Sequence, residues 1–254
     1  MSGHSKWATI KHKKGLKDAK RGALFTKLAR NITVAASEGG GDPDMNFSLR
    51  LAIDKAKQAN MPKDNIERSI KKGTGEIQGE VLRKVSYEAY SATGIAMIID
   101  CTTDNTNRTI SEITNLVESS GGKIADVGSV AWQFEEKGLI VIAPEKLKKT
   151  EKFGKEDEYV PVEMDDMTLS LMDIEGIQDI KTEVGYIEVI TDKTELKNVS
   201  DQISQFGYKI ETSELVKIAK DSVPVLVEDR RNLEKVVENM ENHDDVDAVW
   251  INAD

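Results

Sequence analysis

From Ala19 onward, apolar side chains recur with the period of a helix. Phe25, Leu28, Ile32 and Ala35 fall at i, i+3, i+7 and i+10 and line one face until Gly39 ends the run. Lys20, Lys27 and Arg30 lie off that stripe, which leaves their head groups free to meet a partner. Gly39-Gly40-Gly41-Asp42-Pro43 reads as a loop. A second helix buries Leu49, Ala52, Ile53 and Ala56, and a third starts near Pro62, a first-turn residue, and stops at Gly73. Three short amphipathic helices of this kind predict a small bundle.

After Gly73-Thr74-Gly75 the period changes to that of strands. Residues 80–92 and 95–102 are predicted as two strands joined by a tight turn at Thr93-Gly94. A helix from Asn107 to Ser120 carries Ile110, Ile113, Leu116 and Val117 and ends at Gly121-Gly122, and a strand is expected over Val130–Phe134. A second block follows, with strand 139–143, helix 164–173, strands 178–184 and 186–191, helix 195–206 and strand 208–216. Its order is βαββαβ, the ferredoxin-like arrangement. The chain finishes with a helix from Arg230 to Met240 and a strand from Ala248 to Ile251, which cannot form a core alone. They are expected to return to the block that begins at residue 77.

The fold class is therefore α+β and multidomain, with an N-terminal three-helix domain followed by two αβ domains, at least one of them ferredoxin-like. The expected division is 1–76, then a discontinuous αβ domain of 77–135 plus 220–254, with 136–219 inserted in it.

Charge changes this picture more than composition does. The 254 residues carry a net charge of −10. Cutting the chain after Gly75 separates 16 Lys and Arg against 7 Asp and Glu, a net of +9, from 19 against 38, a net of −19. Segregation this strong is self-repulsive, and a polyanion is the partner that compensates it. No stretch approaches the roughly 18 apolar residues of a membrane span, and MSGHSKWATIKHKK has no apolar segment behind its charges. A cytoplasmic protein without a membrane partner is expected.

Enzymatic chemistry needs titratable groups at a usable spacing, and the sequence offers none. His4, His12 and His243 are scattered, there is no CxxC, HExxH or GxSxG, and Lys71-Lys72-Gly73-Thr74-Gly75-Glu76 lacks the spacing of a phosphate-binding P-loop. Cys101, the single cysteine, sits in an apolar run and reads as a small core residue. Carboxylates in His243-Asp244-Asp245-Val246-Asp247 suit a hard cation, but the run lacks the glycine and distal glutamate of a calcium loop, so a solvated turn is the expectation. Asp165 and Asp166 fall at a helix start, where acids favour the dipole. No catalytic residue, metal ligand, cofactor or small-molecule substrate is expected.

The basic arm differs. Lys6-Trp7 and Ile10-Lys11-His12-Lys13-Lys14 interleave cations with an aromatic and an apolar residue, which suits phosphate contacts plus stacking on a base. Trp7 equally suits a plug that pins the arm to the bundle. For His12, phosphate contact and plain solvent exposure both remain open.

The same residues carry a family resemblance. Gly3-His4-Ser5-Lys6-Trp7, Asp18-Ala19-Lys20-Arg21-Gly22, Phe25-Thr26-Lys27-Leu28, the loop at 39–43 and the runs 49–56 and 60–75 together resemble the N-terminal module of the YebC/PmpR family. Tyr87-Glu88-Ala89-Tyr90, the run 103–109 and Gly128-Ser129-Val130 extend the resemblance over essentially the whole chain. It implies three domains, the first all-α and the others αβ. Members are described as transcriptional regulators that bind DNA, and in a second description, which includes a mitochondrial translational activator of a cytochrome oxidase subunit, as ribosome-associated factors that relieve stalling at proline runs. The family brings no catalytic residues. Its basic segment matches Lys6, Lys11, Lys13, Lys14, Lys17, Lys20, Arg21, Lys27 and Arg30 here; with Trp7 and His12 these are the candidate nucleic-acid-binding residues.

DNA and ribosomal RNA both remain candidate partners, with the ribosome implied by the second description. A recognition helix should cluster Arg, Asn or Gln at its N-terminal end. The third helix instead begins Lys63-Asp64-Asn65 and carries Arg68, Lys71 and Lys72 late, which favours phosphate contact over base readout. The sequence sets no oligomeric state.

Overall fold

In the computed structural model, which describes residues 18–148 and 157–253, the first apolar stripe folds as α1, Asp18–Gly39. The next two form α2, Phe47–Gln58, and α3, Lys63–Gly73. Leu28, Ile32 and Ala35 meet Leu49, Ile53, Ala56 and Ile66 in one core, with Phe25 and Ala52 packed at its edge. Asn46 starts α2: its side-chain oxygen accepts the Leu49 N–H, and its amide donates to the carbonyls of Ala35 and Gly40. One buried side chain thereby caps a helix and fixes the preceding glycine loop. Pro62 stands at the N-cap of α3 rather than inside its first turn.

The crossing of α1 and α3 is close because Gly73 has no side chain. A Cβ there would lie 2.3 Å from the Thr33 carbonyl oxygen and 2.7 Å from the Ala36 Cβ, so Ala cannot enter without moving a helix backbone. Gly73→Ala is expected to cost about 1–3 kcal/mol, the usual penalty of overpacking. Urea unfolding checks this as a lower midpoint at constant slope; an unchanged midpoint would contradict the close crossing.

The predicted hairpin folds as β1, Arg83–Tyr90, and β2, Ala96–Thr103, with Gly94 at φ 79° in the turn, a left-handed conformation that suits glycine. After it come α4, Thr106–Ser119, and β3, Lys123–Ala125, a strand too short to leave a pattern in the sequence. The strand expected over Val130–Phe134 is not there. Ala131–Gln133 is instead a single 3-10 turn. The cause is Glu88, whose nearly buried carboxylate accepts the backbone N–H groups of Gly128, Val130 and Ala131 and curls the segment around itself. Burial alone would raise the Glu88 pKa, but these three donors lower it.

β4, Phe134–Lys148, extends far beyond the apolar run at 139–143. The second block then adds β5, Glu158–Pro161, a second unpredicted strand; α5, Met164–Met172; β6, Ile177–Glu183; β7, Tyr186–Asp192; α6, Leu196–Gln205; and β8, Tyr208–Ala219. Asp165 and Asp166 occupy the first turn of α5. The chain closes with α7, Val227–Glu241, and β9, Val246–Ile251.

Two units result. One comprises the described residues up to Glu135 and from Ala219 onward; the other is Glu136–Ile218. In the first, the sheet order is β3-β1-β2-β9, all antiparallel, and β9 pairs with β2 with Met97 opposite Ile251 and Ile99 opposite Val249. Ile113 and Val117 of α4 and Met240 of α7 pack on Met97, Ile99 and Cys101. The three-helix bundle belongs to this same unit, because α1 lies against β2. In the second unit the sheet runs β5-β4-β7-β6, with β8 also paired to β4. Its order βαββαβ, with β5 added at the edge, is the ferredoxin-like arrangement. Among the described residues, no helix is long and apolar enough to cross a membrane.

Candidate nucleic-acid interface

Lys6, Trp7, Lys11, His12, Lys13, Lys14 and Lys17 lie outside the described residues, as does the side chain of Lys20. Arg21, Lys27 and Arg30 are described, and they divide. Arg21 is exposed, its guanidinium 5.4 Å from the centre of the Phe25 ring, within range of a cation–π contact.

Lys27 and Arg30, expected to face a partner, turn inward. The Lys27 ammonium donates to the carbonyls of Glu241, at 2.5 Å, and Val246, at 2.9 Å. The Arg30 guanidinium donates to the Asp245 carboxylate at 2.6 Å and to the Asp244 carbonyl at 3.3 Å. The physical reason is that α1 has two covered faces. Its apolar stripe meets α2 and α3, while the adjoining polar face meets the turn before β9, whose carbonyls and carboxylates are acceptors for long cationic side chains.

That turn is also a correction. The run from His243 to Asp247 is not a solvated loop: Asp245 is 3% exposed. One of its oxygens takes Arg30; the other takes Arg108 at 3.0 Å, Thr109 at 2.7 Å and Thr103 at 3.2 Å. The run 103–109 thus converges on this carboxylate, and Asn105 within it caps α4. Burial pushes the Asp245 pKa up, but hydrogen bonds from Thr109, Arg108 and Arg30 outweigh it and bring the group down to about 2. Asp247 differs, since burial raises its pKa although Thr102 donates to it at 2.7 Å.

Glu112, His243 and Asp245 hold ligand-type atoms within 4.8 Å of one another. His243 accepts the Asp245 N–H at Nδ1, so Nε2 carries the proton and donates to Glu112 at 2.9 Å. Two guanidinium groups face the Asp245 oxygens, and their charge opposes a divalent cation there. The arrangement is an ion-pair hub. Cys101 is buried, and burial pushes its thiol pKa far above the ordinary value, so it lacks the thiolate a nucleophile needs.

A cleft of about 600 Å³ opens between α1 and α3, lined by Arg30 among the α1 residues and by Gly79, Glu80 and Leu82 of the segment after α3. Phe25, Ala29, Met61 and Leu82 supply the apolar part of its lining. Arg68 and Lys72 line it from α3, one turn apart and exposed, and Glu80 stands as the one acid among its lining residues. Among the described residues, neither Arg68 nor Lys72 has an ion-pair partner, whereas Lys63 at the start of α3 lies 3.5 Å from Glu67. Arg68 and Lys72 were not among the candidate binding residues. Their i, i+4 spacing was the available signal, but only the packing of α3 on α1 reveals which side they share.

Comparison with known proteins gives one consistent family. A model described as "TACO1/YebC protein N-terminal domain" matches residues 5–76, and one described as "TACO1/YebC second and third domain" matches 82–253. The chain is 42% identical over its whole length to a "probable transcriptional regulatory protein" of Caldanaerobacter subterraneus, covering 98% of that protein, and 42% identical to one of Dictyoglomus turgidum, covering 96%. It is similar to the crystal structure of a conserved hypothetical protein from Aquifex aeolicus, with TM-score 0.83 and 36% identity over 98% of this chain and 97% of that one.

Proposed function

The chain belongs to the TACO1/YebC family, and from that premise we propose that it is a non-enzymatic regulator of gene expression that binds DNA. The observation that carries the reading is the +9 charge of residues 1–75, within which the exposed Arg68, Lys71 and Lys72 of α3 have no ion-pair partner among the described residues. Groups of this type bind phosphate by releasing its condensed counterions. The names of the relatives from Caldanaerobacter and Dictyoglomus point the same way. Lys6, Lys11, Lys13, Lys14, Lys17, Lys20 and Arg21 stay in the proposed phosphate-contacting set, with Trp7 and His12 beside them, and Arg68, Lys71 and Lys72 join it. Lys27 and Arg30 act in the proposal as anchors of α1.

Affinity is expected to fall steeply with salt. About five phosphate contacts give a slope of log K against log salt of roughly −3.5 to −4.5. Fluorescence anisotropy between low and physiological salt measures it, and a flat response would refute the reading.

A second reading, binding to ribosomal RNA on the ribosome, is favoured by one feature: the unpaired cations come late in α3, where they suit phosphate rather than base edges. Crosslinking in cells, with sequencing of both bound DNA and bound RNA, separates the two.

A further inference from the structure

We infer that the cleft between α1 and α3 receives an unpaired nucleobase, so that the protein prefers single-stranded over duplex nucleic acid. The inference rests on the nucleic-acid reading above and adds a ligand class to it. Phosphate contact alone needs only surface cations, yet here they stand over a recess. Its volume of about 600 Å³ lies within the roughly 300–1,000 Å³ of small-ligand sites. Met61 in its lining is 6% exposed, and Phe25 and Ala29 are half-buried. A sugar-phosphate backbone gains nothing from such a surface, whereas a base does, because every base has an apolar face that stacks on an aromatic ring.

The charges set the orientation. Arg68 and Lys72 are neighbours on one helix face and form a cationic wall suited to successive phosphates. Glu80 is the one acid in the lining, in the segment where Gly79 lies beside Lys72, and its carboxylate can accept from a base N–H such as thymine N3–H. In this arrangement phosphates meet the α3 cations while the base covers the apolar part of the lining, with Glu80 within the same cleft. Asn65, also exposed at the cleft, offers an amide that can both donate and accept. Arg21, its guanidinium 5.4 Å from the centre of the Phe25 ring, adds a planar cation beside that lining residue. Bases within a duplex are paired and stacked, so only a single strand or a flipped-out nucleotide can fill the recess.

The test uses the full chain and three fluorescein-labelled probes at one ionic strength: a twelve-residue oligothymidylate, the same strand with its six central bases replaced by abasic spacers, and the duplex of equal length. Anisotropy titration should show the oligothymidylate binding about tenfold more tightly than the abasic strand, which keeps every phosphate. Ala29→Phe, which fills the recess, should bring that ratio close to one while leaving abasic-strand affinity unchanged. Phe25→Leu, a milder change that guards against misfolding, should lower the ratio about fivefold. Both variants are checked for intact helix content by circular dichroism. Equal binding of the oligothymidylate and abasic strands by the unaltered chain overturns the inference, including the case in which the chain's own residues fill the cleft. So does an undiminished ratio in folded Ala29→Phe. In either event, binding of the abasic strand leaves the broader nucleic-acid reading standing; only failure to bind all three probes removes that reading as well.

Discussion

Asp245→Ala is expected to lower the unfolding free energy by about 3–5 kcal/mol, the usual cost of removing one partner from a buried ion pair. The replacement leaves Arg30, Arg108, Thr103 and Thr109 without their shared acceptor, and two of those donors carry full charge. Asp245→Asn should recover part of the loss, since an amide oxygen still accepts a hydrogen bond but cannot neutralise two guanidinium groups. Urea denaturation of the three proteins at neutral pH gives the ranking. Acid supplies an independent check. The folded-state pKa of about 2 lies below the ordinary 3.8, so the charged carboxylate stabilises the fold above pH 4. That contribution disappears as pH falls from about 4 towards 2. Its size, taken from the gap of 3.8 to about 2, is about 2 kcal/mol. The Asp245→Ala protein should show a correspondingly shallower loss of stability between these pH values. If wild type and variant lose stability in parallel, the hub is not what the charge and geometry indicate.

Removing residues 1–17 is expected to weaken nucleic-acid binding by at least about a hundredfold near 0.1 M salt. The segment holds Lys6, Lys11, Lys13, Lys14 and Lys17 and no acidic residue, and each phosphate neutralised contributes close to one decade under those conditions. The shortened chain should also show a smaller salt slope, the remainder coming from Lys20, Arg21, Arg68, Lys71 and Lys72. Sequence preference should be unaltered, because lysine contacts to phosphate carry little sequence information. The same deletion decides between the two roles of Trp7. A tryptophan packed on the bundle would cost about 3–5 kcal/mol of stability when lost, whereas one stacked on a base leaves melting unchanged. Binding within threefold of the intact chain would remove the arm from the interface.

The sequence made the apolar half of the fold readable and hid much of the polar half. Leu28, Ile32, Leu49 and Ile53 announce their helices because a buried face must repeat with the helical period. Ile140, Val141 and Ile142 announce a central strand in the same way, but β4 runs on through Glu135-Glu136-Lys137 and Glu145-Lys146, where alternation is lost among charges. β3 and β5 have three and four residues, too few for any pattern. At Val130 the local apolar residues suggested a strand, and a carboxylate some forty positions earlier in the chain overrode them. The misplacement of Lys27 and Arg30 has the same origin. Being off the apolar stripe implied solvent, whereas their acceptors belong to residues 241–246, a separation no local window contains. The cleft was equally illegible, since Phe25, Met61, Arg68 and Leu82 converge only after three segments have packed.

The bond between Arg30 and Asp245 spans 215 residues of chain, and this sets a schedule for synthesis. At about 5–20 residues per second, α1 leaves the ribosome roughly 10–40 seconds before its carboxylate anchor exists. β2 waits over a similar interval for β9, the strand that completes its pairing. During that time the acceptors that residues 241–246 offer Lys27 and Arg30 are not yet made, so the newly made end of the protein is more cationic at its surface than the finished one. A chain cut short before residue 241 keeps that state permanently, and truncated products of this kind are therefore expected to cling to polyanions more strongly than the mature protein.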